Sequence, residues 1–167
     1  MAITIEKARP EDAVAIIEYL KLIGGETNNL TFGSEGLPFT LEEEATYIAN
    51  LTNSRDGAMF VAKDGDKIVG DASLNRLPRR MNHRGDIGVS VAREYWNRGI
   101  GSALLAQIIA HAREIGIEII DLQVRGDNRA AIHLYEKFGF EKIGSHPAFY
   151  KIDGEYIGFD YMYLRLH

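Results

Sequence analysis

The sequence has no cysteine among its 167 residues, and this absence excludes several classes of protein. Disulfide bonds, thiolate zinc sites and a cysteine nucleophile all require a residue that the chain lacks. The five histidines show no spacing such as H-x-x-x-H, so no metal site is predicted. No G-x-S-x-G motif occurs, so a serine hydrolase of that type is not predicted.

Positive charge and long apolar runs are also scarce. The chain carries 19 Lys and Arg against 24 Asp and Glu, a net charge of -5, whereas a general nucleic-acid binder needs a basic face. No apolar run approaches 18 residues, and the first residues do not have the pattern of a signal peptide. We therefore expect a cytoplasmic protein without nucleic-acid or membrane partners.

The composition of the chain is that of a folded domain with a substantial core. Hydrophobic residues make up 46% of the sequence and charged residues 26%, close to the average of globular proteins. A chain of this length buries roughly two thirds of its unfolded surface, which leaves room for a ligand cleft. We predict one domain over residues 1–167.

Hydrophobic patterning predicts the element order β-α-α-β-β-β-α-β-α-β-β. Strands are predicted at 3–9, 58–63, 67–75, 84–92, 117–125, 140–151 and 156–166, and helices at 11–24, 40–53, 99–114 and 128–138. The strand, helix and strand between 84 and 125 form a βαβ crossover, so these two strands should be parallel. We predict an α/β fold with a mixed, mostly antiparallel central sheet flanked by helices.

Two signals refine the N-terminal half. The first helix is expected to stop near Gly24 and Gly25, before an irregular connection over 24–39 that is long enough to act as a lid. Thr40 and Glu43 form a capping box, which predicts the start of the second helix.

The segment Arg98-Gly99-Ile100-Gly101-Ser102 opens the third helix directly after a strand. The first N–H groups of a helix have no internal acceptor, and with the helix dipole they form an anion site. Arg98 adds a charge that can pair with phosphate. The segment predicts a phosphate or pyrophosphate at residues 97–102, although a glycine-rich turn that binds nothing has the same pattern. The dinucleotide fingerprint fails because Leu104 replaces its third glycine.

Two motifs together resemble those of one family. Residues 87–105 resemble the acetyl-CoA segment Q/R-x-x-G-x-G/A of the GCN5-related N-acetyltransferases (the GNAT superfamily), with Trp96 at the Gln or Arg position. About 25 residues later, residues 128–140 resemble the family's second CoA motif, N-x-x-A-x-x-L-Y-E-K-x-G-F. With the element order, the resemblance covers essentially the whole chain and fits a small member of bacterial type.

The resemblance implies direct transfer of an acetyl group from acetyl-CoA to an amine in a ternary complex. It also implies that the strand before the glycine segment splays from its parallel neighbour to admit the pantetheine arm. The implied cofactor contacts are backbone groups of Val89, Ser90 and Val91, the pyrophosphate cradle of Asn97, Arg98, Gly99, Ile100, Gly101 and Ser102, and Asn128 and Tyr135. Lys137 is a further candidate for the CoA phosphates.

Tyr135 and Asp86 are the candidate catalytic residues. A phenol near the sulfur can protonate the CoA thiolate, which makes Tyr135 the candidate acid. Tyr135 also shares a helical stripe with Leu134 and Phe138, so it could be a core residue alone. Asp86 is the candidate base, with Glu44, Asp160 and the 26–36 loop as alternatives. Asn128 also suits a helix N-cap.

The acceptor site should lie between the 24–39 connection, the second helix and the last hairpin. Aromatic residues at 47, 149, 150 and 156 would line it, and glutamates at 42–44 and 155 give the region acidic character. This character suits a small cationic amine or amino acid. Alternatives are acetylation of a protein N-terminus, a CoA sensor without turnover, and a dehydrogenase-like fold that binds NAD. A homodimer through the sheet edge or the last hairpin is a further hypothesis.

Overall fold

The computed structural model describes residues 2–30 and 32–166. The strands are β1 (Ile3–Lys7), β2 (Gly57–Asp64), β3 (Lys67–Arg76), β4 (Arg84–Val91), β5 (Ile119–Arg125), β6 (Glu141–Ile152) and β7 (Glu155–Arg165). The helices are α1 (Ala13–Glu26), α2 (Leu41–Thr52), α3 (Ile100–Glu114) and α4 (Arg129–Lys137). The predicted element order is confirmed.

All seven strands form one sheet in the order β1-β2-β3-β4-β5-β7-β6. Each neighbouring pair is antiparallel except β4 and β5, which are parallel and joined through α3. The predicted mixed, mostly antiparallel sheet with one βαβ unit is therefore confirmed. The parallel pair lies near the middle of the sheet.

The two faces of the sheet carry different helices. On one face, the leucines and isoleucines of α3 pack on β2, β3 and β4, and a Cβ added to Gly70 of β3 would lie 3.1 Å from Leu104. This core includes Leu104, Leu105, Ile108, Ile120 and Leu122, which are fully buried. On the other face, α1 and α2 cover β2 and β3.

The first helix passes through the glycines that were expected to end it. α1 continues to Glu26, so the predicted stop near Gly24 and Gly25 is wrong. A Cβ at Gly24 would lie 1.9 Å from the carbonyl oxygen of Gly33, so this glycine lets the following connection approach the helix. The capping box of Thr40 and Glu43 at the start of α2 is present as predicted.

Candidate active site

A gap opens between the two parallel strands. β4 pairs with β5 only from Arg84 to Asp86, whose partner is Asp121. Beyond that point β4 continues along β3 as far as Val91, whereas β5 continues along β7 to Arg125. The two central strands therefore diverge in the manner that the resemblance implied.

Main-chain groups of β4 line this gap. The Leu77 N–H donates to the Arg84 carbonyl, and the Ala92 N–H donates to the Val69 carbonyl. These two bonds show that the main-chain groups of the even-numbered residues of β4 are hydrogen-bonded to β3. Directions alternate along a strand, so the N–H and C=O groups of Val89 and Val91 point into the gap.

Ser90 is placed differently from its two neighbours. Its main-chain groups face β3, because the alternation of hydrogen bonds places them there, so they do not line the gap as the sequence analysis implied. Trp96, at the position where the family has Gln or Arg, donates its indole N–H to the Val91 carbonyl at 2.8 Å. The Val91 carbonyl therefore already has a partner, and the gap retains both main-chain groups of Val89 and the N–H of Val91.

The start of α3 presents free N–H groups. The first N–H donated within the helix is that of Ala103, to Gly99 at 3.1 Å, so those of Ile100, Gly101 and Ser102 have no helical acceptor. No side chain of the described residues caps this end, and Gly99 has φ of 78°, a conformation that favours glycine. The helix start therefore has the free donors of an anion site.

Two residues before the helix complete this cradle. Asn97 has φ of 62° and is exposed, which turns the chain toward the helix. The Arg98 guanidinium lies 5.0 Å from the centre of the Tyr95 ring and is also exposed. Arg98 is thus free to pair with an anion at the helix start.

The end of β4, the start of α3 and the helix α4 meet at one glycine. A Cβ added to Gly101 would lie 3.3 Å from Leu134 and 3.9 Å from Val91. Sequence reasoning assigned Gly101 to the cradle, but the structure gives it a packing role as well. This contact places the gap, the free N–H groups and the helix of Tyr135 next to one another.

Tyr135 and Asn128 belong to that helix. Tyr135 is 7% exposed and packs edge-on against Phe140, and burial raises the pKa of its hydroxyl to about 12. The phenol therefore stays protonated at neutral pH. The Asn128 side-chain oxygen accepts the Ala131 N–H at 3.3 Å, so Asn128 is the N-cap of α4.

Asp86 lies where the gap begins, on the face of the sheet that α1 and α2 cover. It accepts a long hydrogen bond of 3.4 Å from the Gln123 amide. Burial raises the pKa of Asp86, and the nearby Asp121 carboxylate raises it further. Arg84 is engaged by Asp121 at 2.7 Å. Among residues 2–30 and 32–166 this carboxylate has no ion pair, and with its raised pKa it is suited to accept a proton.

The alternative bases occupy different settings. Asp160 accepts a hydrogen bond from the Ser145 hydroxyl at 2.8 Å and pairs with Lys142 at 3.5 Å, so its carboxylate already has two partners. Glu44 is 3% exposed, and burial raises the pKa of its carboxyl.

Sequence reasoning missed a group of polar residues on the same face. The Tyr19 hydroxyl lies 2.8 Å from the Ser90 hydroxyl, which donates to the Asp71 carboxylate. Burial raises the pKa of Asp71 to about 6. The signal was the alternation of Asp71, Ser73 and Asn75 with apolar residues in β3, which is also typical of a strand whose polar face is open to solvent.

The connection between α1 and α2 closes over the end of β5. The main-chain oxygen of Asn28 accepts a hydrogen bond from Arg125 at 3.3 Å and another from the Tyr150 hydroxyl. Phe149 stacks on Phe159 with ring centres 4.4 Å apart. These contacts bring together the connection, β5 and the last hairpin.

A cleft of about 410 Å³ adjoins these contacts, and Arg125, His146, Tyr156 and Phe159 are among the residues that line it. Tyr47 lies apart from the aromatic residues of the hairpin, because its hydroxyl bonds Asn75 of β3 at 3.2 Å. In the part of the chain that the structure describes, no His, Asp or Glu residues group to hold a metal, and no helix has the length and apolarity to cross a membrane.

Comparisons with known proteins agree with this architecture. The model of the acetyltransferase (GNAT) family matches residues 28–140. The chain is 36% identical over 101 residues to the L-amino acid N-acetyltransferase AaaT of Escherichia coli, an alignment that covers 59% of this chain and 62% of that protein. The chain thus spans about three fifths of that curated relative.

Solved structures extend the likeness to nearly the full length. A GNAT-family acetyltransferase from Streptococcus pneumoniae superposes with a TM-score of 0.94 at 30% identity, covering 98% of this chain and 99% of that one. YncA of Salmonella typhimurium, solved with its cofactor acetyl-CoA, has the same fold at 20% identity, with a TM-score of 0.86 and coverage of 100% and 95%. The family match covers more than half of the chain, and the protein belongs to the GNAT acetyltransferase family.

Proposed function

We propose that this protein transfers an acetyl group from acetyl-CoA to a primary amine, directly, with both substrates held in one ternary complex. The observation that carries the proposal is the contact of three features: the gap between β4 and β5, the free N–H groups of α3, and the helix of Tyr135. The absence of cysteine supports direct transfer, because no acetyl-cysteine intermediate can form.

The residues of this region fit the chemical groups of acetyl-CoA. The free main-chain groups of Val89 and the N–H of Val91 suit the amides of the pantetheine arm, and the N–H groups of Ile100, Gly101 and Ser102 suit its pyrophosphate. Arg98 would add a charge-assisted contact. Asn128 retains its side-chain N–H donors for the same ligand. When bound, acetyl-CoA supplies a thioester, from which an amine can take the acetyl group.

The chain itself supplies the two proton transfers. Asp86 accepts the proton that an ammonium acceptor must lose before its nitrogen attacks. Tyr135 holds a proton at neutral pH and donates it to the departing sulfur. Orientation of two bound substrates supplies much of the remaining acceleration.

We propose a small cationic amine or amino acid as the acceptor. Support comes from three carboxylates on the face that α1 and α2 cover, Glu44, Asp71 and Asp86, none of which has an ion pair within the described ranges. AaaT, by its name, acts on L-amino acids. A protein N-terminus is the alternative acceptor, and a sensor without turnover is the alternative function. The cytoplasmic location and the homodimer remain predictions.

A thermal melt with acetyl-CoA, CoA or NAD tests the cofactor. A ligand at about a hundred times its dissociation constant adds roughly 2.7 kcal/mol to the free energy of unfolding, a readily measured rise in melting temperature. We expect a rise with both CoA compounds and none with NAD. No rise with acetyl-CoA would contradict the proposal. Release of free thiol with amines then separates the enzyme from the sensor.

The variant Asp86→Asn tests the base. It should lower kcat/KM and remove the acidic limb of the pH–rate profile, because the amide cannot accept the proton. The affinity for acetyl-CoA, measured by titration, should not change. An acidic limb that persists in the variant would remove Asp86 from the role of base.

A further inference from the structure

The segment that joins β4 to α3, residues 92–99, has a backbone that most residue types avoid. Asn97 has φ of 62° and Gly99 has φ of 78°. Glycine adopts such left-handed angles freely, whereas a residue with a side chain adopts them at a cost in free energy. The conformation of Asn97 therefore persists because neighbouring contacts impose it.

Contacts of Trp96 and Arg98, on either side of the strained residue, fix its two neighbours. The Trp96 indole N–H donates to the Val91 carbonyl at 2.8 Å, which ties the segment to the end of β4. The Arg98 guanidinium lies 5.0 Å from the ring centre of Tyr95, a buried residue whose hydroxyl donates to Asp64 at 2.7 Å. Both neighbours are therefore attached to the body of the domain.

The Trp96 ring lies beside the path of the proposed cofactor. The Val91 carbonyl points into the gap between β4 and β5, so the indole N–H that it accepts lies on the gap side of β4. A Cβ added to Gly101 would lie 3.9 Å from Val91, so the start of α3 is adjacent. The ring is 46% exposed, so a ligand that extends from the gap to the free N–H groups of α3 can contact it.

The chemistry of the indole limits what Trp96 can contribute. The family has Gln or Arg at this position, and these side chains carry two or more N–H donors. The indole has a single N–H, which the Val91 carbonyl already accepts, so it offers no donor to a phosphate. Its contribution to anion binding must therefore come through the backbone of the segment that it holds, which leads directly into the free N–H groups of α3.

We infer that Trp96 is a positioning residue for acetyl-CoA. By holding Asn97 in its left-handed conformation, the indole–carbonyl bond orients the N–H groups of Val91 and of the first turn of α3 before the cofactor arrives. Preorganised donors bind more tightly, because less conformational freedom is lost on binding. The inference rests on the proposed function, because it concerns how the proposed cofactor is held.

Fluorescence tests whether the cofactor lies against the ring. Trp96 is the one tryptophan of the chain, so its emission reports this contact without interference from another indole. We expect the emission to change saturably during a titration with CoA, with the dissociation constant that calorimetry gives. Adenosine at the same concentrations is the control for absorption of the exciting light. Binding by calorimetry without a change in emission would overturn the inference.

The variant Trp96→Phe keeps an aromatic ring and removes the N–H. The dissociation constant for CoA should rise about fivefold, the effect of one lost hydrogen bond, with a matching rise in KM for acetyl-CoA and a smaller change in kcat. The control is Arg93→Ala, which removes the guanidinium 5.6 Å from the same ring and should bind CoA as the wild type does. Equal or tighter binding by Trp96→Phe would overturn the inference.

A second substitution separates positioning from direct contact. Glycine adopts φ of 62° without strain, so Asn97→Gly combined with Trp96→Phe should recover most of the affinity that Trp96→Phe loses. A ring that only contacted the ligand would give no recovery, and the absence of recovery would overturn the inference. Failure of the wild-type protein to bind CoA at all would instead contradict the proposed function.

Discussion

The two faces of β4 carry side chains of opposite polarity. Toward α3, the strand presents Ile87, Val89 and Val91 to an aliphatic core. Toward α1 and α2 it presents Asp86, Gly88 and Ser90. The helix α1 reaches the polar face at Ser90, whose hydroxyl lies 2.8 Å from that of Tyr19, whereas Gly88 is exposed.

The two faces of β4 therefore have different roles. The apolar face fixes the position of β4 against α3, and its main-chain groups line the gap proposed for acetyl-CoA. The polar face collects carboxylates and hydroxyls under α1 and α2. A polar face that a helix partly covers is suited to binding, because burying polar groups costs free energy unless partners satisfy them.

The largest expected effect comes from Tyr135, on the helix beside the gap. Tyr135→Phe should lower kcat about a hundredfold or more, because the ring remains but the donated proton is lost. Burial is the one cause of the raised pKa of this hydroxyl, and no hydrogen bond contributes to it. Removing the hydroxyl should therefore leave the fold intact. Steady-state kinetics with a melting curve and an acetyl-CoA titration check the result. An unchanged kcat would make Tyr135 a core residue.

The apolar face should be the more sensitive of the two to truncation. Leu104→Ala should lower the free energy of unfolding by about 2–5 kcal/mol, because Leu104 is fully buried against the sheet. Chemical denaturation measures this loss. Leu22→Ala, at a leucine that is 44% exposed on α1, is the matched control and should cost less than about 0.5 kcal/mol. Equal losses in the two variants would contradict the contrast.

Sequence alone predicted the apolar side well. The βαβ order, the parallel pair and the helix start at residues 99–102 follow from local patterns, because strand periodicity and free helix N–H groups depend on neighbours in sequence. The motif at 128–140 added the position of α4. The pairing of β4 with β5 ends at Asp86. Its length depends on contacts between residues distant in sequence, so only the resemblance to the family implied it.

The polar side could not be predicted in the same way. Tyr19, Asp71 and Ser90 are up to 71 residues apart, and no spacing rule joins them. Glu44 was considered as an alternative base and as part of an acidic acceptor region, but its burial was not predicted, because that burial depends on how α2 packs on the sheet. Gly24 was interpreted as a helix stop, since the approach of the Gly33 carbonyl is also invisible in the sequence.

An effect of intermediate size is expected from Asp71, on the polar side of the sheet, as a dependence of the free energy of unfolding on pH. Burial raises the pKa of Asp71 from 3.8 to about 6, so the native state holds this proton more tightly than the unfolded chain. The contribution of Asp71 to the free energy of unfolding should therefore fall as the pH rises from 3.8 to about 6 and stay level above. Asp71→Asn should remove this fall and stabilise the protein at pH 7 by about 1–2 kcal/mol after screening by solvent.

Urea denaturation of both proteins across that pH range measures the effect. Asparagine can still accept the Ser90 hydroxyl, so the comparison isolates the charge. Identical pH profiles for the two proteins would mean that Asp71 is ionised at no cost, and the polar face would then lose its distinction from an ordinary solvated surface.

The smallest effect is expected at Arg98, beside the start of α3. Arg98→Ala should weaken acetyl-CoA binding about three- to tenfold, because an exposed guanidinium adds one charge-assisted contact to a cradle made mainly of main-chain N–H groups. Titration at low and high salt checks this, since screening should narrow the difference between wild type and variant. Arg93→Ala is the control: this arginine is also exposed and packs on Trp96 at 5.6 Å, but it lies outside the cradle. If both variants weaken binding equally, Arg98 contributes only through the overall charge of the protein. The anion site at α3 then consists of its main-chain N–H groups alone.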